Sequence, residues 1–128
     1  MNTKLIEWVL RVAVAGEFFG HGMLALQGKK DWIAWFAKFG VDDPGLAAQF
    51  LFAIGVLDIL VALIVLVKPT IRIALLWAVL WGFWTALLRP LVGVGWLDFV
   101  ERWANWGAPL ALLLMLGWPR NFREWFTK

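Results

Sequence analysis

The sequence predicts an all-α fold: a four-transmembrane-helix bundle with a short interfacial amphipathic helix between its first two spans. Three observations carry that expectation. Hydrophobic residues make up 62% of the 128 residues and charged residues only 16%, against about half and about a quarter in a soluble domain. The apolar residues gather into four stretches of about 20 residues, the length that crosses a bilayer core of about 30 Å. A chain of this size has room for one membrane-embedded domain, 1–128, and no second core.

The first span is expected over about 5–27, where Gln27, Gly28, Lys29 and Lys30 stop it. Glu7, Arg11, Glu17 and His21 spoil it as the apolar region of a cleaved leader, so a spanning helix is expected instead. The segment of about 31–39, Asp31 to Phe39, is aromatic, amphipathic and too short to span. It reads as a helix lying on the membrane surface. The second span covers about 46–67, introduced by Asp42, Asp43, Pro44 and Gly45 and closed by Lys68 and Pro69. The third follows at once, over about 70–89, so the two form a tight antiparallel hairpin. It is expected to end at Arg89, because a proline such as Pro90 disfavours helix in the residue before it. The fourth covers about 99–118 and ends at Pro119. Lys4, Lys68, Arg72, Arg120, Arg123 and Lys128 lie on the side that holds both termini, against Lys29, Lys30, Lys38, Arg89 and Arg102 on the other. The bias of basic residues toward that side places the termini in the cytoplasm.

Composition also excludes chemistry. There is no cysteine, which removes disulfides, thiolate nucleophiles, iron–sulfur clusters and Cys-based zinc sites. A single histidine rules out bis-His haem ligation within one chain, and scattered carboxylates make a poor transition-metal site, so no metal is expected. No phosphate-binding glycine loop or catalytic serine constellation is present. The net charge of +3 comes from basic residues at span ends, which is membrane topology and not a nucleic-acid surface.

The candidate site consists of polar residues inside apolar stretches: Glu17, His21, Asp58 and Asn105, with Arg89 at the rim. A charge near the bilayer centre costs roughly 2.5–3.5 kcal/mol on insertion scales, so such residues pair, line a cavity or do chemistry. Glu7, Arg11, Glu17 and His21 share one stripe of the first helix, expected to face the bundle interior. Glu7 with Arg11 and Glu17 with His21 are i,i+4 pairs, each able to hydrogen-bond along the helix. Counting rise per residue puts Glu17, His21, Asn105 and Arg89 in one half of the bilayer, with Asp58 deeper. Pro109 offers no N–H to the carbonyl of Asn105, and a kink there would open space beside the cluster. The Glu17–His21 pair reads either as a structural hydrogen bond or as a proton-handling or ligand-binding pair. Most tryptophans lie near span ends and fit an aromatic belt. Trp77, Trp81 and Trp84 fall mid-span on one stripe, as helix-packing bulk, a face for another subunit, or a stacking surface for a flat ligand.

Arg11, Gly16, Phe19, His21 and Gly22 form an R-x4-G-x2-F-x-H-G pattern on the first span. With the length and the four spans, it resembles the DoxX-like family of small four-helix bacterial membrane proteins. The resemblance implies the bacterial inner membrane and a neighbourhood of quinone-linked redox chemistry. The resulting expectation is an accessory subunit of a larger respiratory or redox membrane complex, with the lipid bilayer, other membrane subunits or further copies of the chain as partners, and no nucleic acid. The alternative is a quinone-linked oxidoreductase or a small-molecule-binding membrane protein. In it, Glu17 and His21 accept protons, Arg89 and Asn105 position a polar head, and Trp77, Trp81 and Trp84 contact a ring.

Overall fold

The computed structural model describes residues 1–127, and all regular structure among them is helical. The order is α1 (Thr3–Leu26), α2 (Lys30–Ala37), α3 (Pro44–Val67), α4 (Arg72–Leu91), α5 (Trp96–Glu101) and α6 (Ala104–Leu116), then a 3₁₀ turn at Phe122–Trp125. Three of these helices, α1, α3 and α4, are long and apolar enough to cross a membrane.

Local chemistry sets the helix starts. The Asn2 side chain accepts a hydrogen bond from Leu5 N at 3.0 Å, and Asp43 accepts one from Gly45 N at 3.0 Å. Each satisfies a backbone donor that the first turn leaves free. Pro44 follows Asp43 at the start of α3, where its missing N–H costs nothing.

The ends differ from expectation at two prolines. α4 runs through Pro90 to Leu91 instead of stopping at Arg89. So close to the C-terminus, the proline forfeits one helical hydrogen bond and leaves the rest of the helix intact. The fourth span is not a single helix over 99–118. α5 stops at Glu101, the chain turns through Arg102 and Trp103, and α6 begins at Ala104. Arg102 folds onto Asp98 (3.6 Å) and Glu101 (2.8 Å), holding charge at the break. With 13 residues, α6 is about 20 Å long, short of a bilayer core of about 30 Å.

The helices close into a ring in which α1 touches α3 and α6, and α4 touches α6 and α3. Val14, Phe18, Val61, Val65, Leu75, Ala78, Leu112 and Leu113 fill its centre in the half nearer the termini. Two close crossings depend on glycine. A Cβ on Gly55 of α3 would sit 2.9 Å from the Gly22 carbonyl oxygen of α1, and one on Gly82 of α4 would sit 2.5 Å from the Asn105 carbonyl oxygen of α6. Small residues let membrane helices approach to backbone contact, and packing of this kind drives their association.

Two arginines tie helix ends together. Arg11 donates to the Leu66 carbonyl in the last turn of α3 and bonds Glu7 at 3.4 Å. Arg72 donates to Leu116 O at 2.9 Å and to Glu124 O at 3.1 Å, so the end of α6 is held against the start of α4. Both satisfy carbonyls that a helix C-terminus leaves without partners. The outward faces carry exposed Val12, Phe19, Phe52, Val56, Leu60, Leu63 and Leu80. An apolar outer surface of this extent suits lipid and not water.

Candidate functional site

In the half of the bundle away from the termini the apolar core gives way to a cavity of about 320 Å³. Its walls come from α1 (His21, Ala25), α3 (Leu51, Ile54, Asp58) and α4 (Trp81, Trp84, Thr85, Leu88, Arg89). α2 and the residues after it close the remaining side with Trp32, Trp35, Phe36 and Phe39. The lining is therefore aromatic and aliphatic, with a few polar groups, the usual make-up of a small-molecule site.

α2 reaches this position because of its flanks. Gly28 (φ +69°) and Gly40 (φ +92°) take left-handed backbone conformations on either side of it, which glycine adopts without the strain of a side chain. The chain folds back, and the aromatic face of α2 turns onto the bundle. Trp32 stacks on His21 (ring centroids 5.5 Å apart, planes at 28°), Phe36 on Phe50 (6.2 Å), and Phe39 lies against Trp84 (6.1 Å).

Each expected site residue can now be placed. His21, Asp58 and Arg89 line the cavity together. Asp58 is 2% exposed, and its Oδ1 has no hydrogen-bond partner among the described residues. The Trp77 indole approaches this carboxyl group without reaching hydrogen-bond geometry, and its Nε1 is likewise without a partner. Arg89 is 7% exposed. It donates to the Thr85 carbonyl of its own helix at 2.6 Å and lies over the Trp35 ring, 5.0 Å from its centroid. Among the described residues no carboxylate pairs with it.

Glu17 is half-buried on α1, within Coulombic range of Asp58 and outside the cavity lining. No hydrogen bond links it to His21, whose ring is engaged by Trp32 instead. The Glu7–Arg11 pair does form, and Arg11 serves as the cap of α3. Asn105 lies at the α4–α6 crossing, where its carbonyl, freed by Pro109, packs against Gly82; it does not line the cavity. The tryptophan stripe divides. Trp77 and Trp81 stack face to face (5.2 Å, 10°), while Trp81 and Trp84 contribute to the cavity wall.

The aromatic wall from α2 is what sequence reasoning missed. Trp32, Trp35, Phe36 and Phe39 belong to the segment expected to lie on the membrane surface, and they recur at i, i+3, i+4 and i+7. That spacing puts all of them on one helical face, and the flanking glycines allow that face to turn inward. Comparisons with protein-family models, with curated proteins and with solved structures find no match for this chain.

Proposed function

We propose that the chain is a small integral membrane protein of DoxX-like type whose work is to bind a lipophilic, ring-bearing small molecule in the cavity beneath α2. The observation that carries this reading is the aromatic chamber itself. Trp32, Trp35, Phe36, Phe39, Trp81 and Trp84 surround an empty volume of about 320 Å³ into which His21, Asp58 and Arg89 bring polar groups. A core would close such a space, since interiors pack to the density of organic crystals and voids cost stability. Buried polar groups without partners are also costly, and they are kept where a ligand completes them.

The volume lies near the lower end of the range for drug-sized ligands. It fits one or two rings with short substituents, and a long tail would have to leave between helices into lipid. A quinone ring is one such occupant. The reading as an accessory subunit rests on small size, the absence of redox-cofactor ligands and the mid-membrane tryptophan stripe. Of that stripe, Trp81 and Trp84 line the cavity, which adds support to the ligand reading.

Titration of the purified protein in lipid vesicles with a short-chain benzoquinone, read by quenching of tryptophan fluorescence, tests the proposal. Saturable quenching that weakens on Trp84→Leu is expected. Quenching that rises linearly with the quinone and does not change in the variant would mean that the quinone only partitions into lipid.

A further inference from the structure

The ligand reading leaves the polar end of the ligand open, and the cavity mouth bears on it. Resting on that reading, we infer that the cavity is selective for an aromatic carboxylate, held with its acid group on Arg89 and its ring in the chamber below. Arg89 is buried, uses one of its donors on a carbonyl of its own helix, and has no acidic partner among the described residues. Asp98 and Glu101 act on it only through space and are themselves held by Arg102, so the guanidinium has no carboxylate at salt-bridge distance, the situation in which a bound anion contributes most. Its remaining donors form a planar fork, which matches the two oxygens of a carboxylate better than a single carbonyl does.

Three further features point the same way. Trp35 lies under the guanidinium, 5.0 Å from ring centroid to Cζ. Lys29 sits over Trp32, which lines the cavity and stacks on His21, so a second cation stands behind that wall. Below the mouth the wall is aromatic, suited to a ring and not to an extended polar chain.

At the far end lies Asp58. Counted from the turn shared by α3 and α4, it is on the order of 10 Å deeper than Arg89. An acid placed at Arg89 therefore keeps its charge away from the Asp58 carboxyl group. The opposite orientation would bring two acids together. A ligand carrying a hydroxyl opposite its acid would find in Asp58 an acceptor that has no partner in the chain.

The experiment uses the full chain in phosphatidylcholine vesicles, with 2-naphthoate as the probe and 2-naphthamide as its uncharged counterpart. Binding is read as saturable quenching of tryptophan fluorescence above that seen with free tryptophan in the same vesicles. The expected result is that naphthoate saturates, and that naphthamide binds roughly tenfold or more weakly. Arg89→Gln should weaken naphthoate by a similar factor and naphthamide far less, and the retained saturable naphthamide quenching shows that the chamber is intact in the variant. Arg89→Lys should recover only part of the loss, because an ammonium keeps the charge without the fork. If the wild type binds naphthamide as tightly as naphthoate, the inference falls while the ligand reading stands. Naphthoate binding that Arg89→Gln leaves unchanged also overturns it. If neither probe saturates, the inference falls, and the benzoquinone titration decides the reading beneath it.

Discussion

Two residues show how stability and function pull apart in this chain. Asp58 is buried among apolar side chains with an unpartnered carboxyl oxygen. A group in that state lowers stability by about 1–3 kcal/mol. Asp58→Leu should therefore unfold at an equal or higher temperature than wild type in detergent, and lose ligand binding. A clear drop in melting temperature would mean that the carboxyl group has structural partners. Gly82 is the opposite case. Its missing Cβ would collide with backbone, at 2.5 Å from the Asn105 oxygen, which no rotamer change can relieve. Gly82→Ala should cost about 1–3 kcal/mol, read as a lower melting temperature, whereas Gly107→Ala, with nothing within 4 Å, should not.

At the scale of elements, the long helices were legible because apolar runs and end signals agree. Asp43-Pro44 and Lys68-Pro69 mark helix ends within about two residues of where they fall. The expected fourth span was not realised as one helix, because hydropathy averages over the charged turn at Glu101-Arg102. The sequence also could not say which partner each polar residue meets. His21 and Asp58 were recognisable as misplaced in lipid, but their meeting in one cavity depends on the Gly22–Gly55 crossing and on the fold-back of α2. Asn105 looked like a site residue by type and depth, yet its carbonyl serves a helix crossing. α2 itself yields a prediction. Its place on the bundle depends on backbone at positive φ, so Gly28→Val with Gly40→Val should strain both flanks. Faster hydrogen exchange across Lys30–Ala37, with α3 unchanged, is the expected outcome. Uniform protection would show that α2 is held by its contacts alone.

For the whole molecule, the ring of helices is dense in the half nearer the termini and hollow in the other. The dense half holds Leu75, Leu112 and Leu113 with no exposure at all. The hollow half is walled by aromatic rings and carries the unpaired Asp58 and Arg89. Stability and binding are thus divided between the two halves, which predicts that filling the cavity leaves the fold intact. Ala25 is the lever for this, since it is 2% exposed and lines the cavity, so a leucine there would extend into empty space. The most direct test is a mass-spectrometric inventory of what co-purifies from native membranes with wild type and with Ala25→Leu at matched lipid content. A ring-bearing lipophilic molecule should stay with the wild type through purification and be lost from Ala25→Leu, whose melting temperature should equal or exceed that of the wild type without the molecule. An identical inventory for both proteins, holding only bulk lipid, would contradict it.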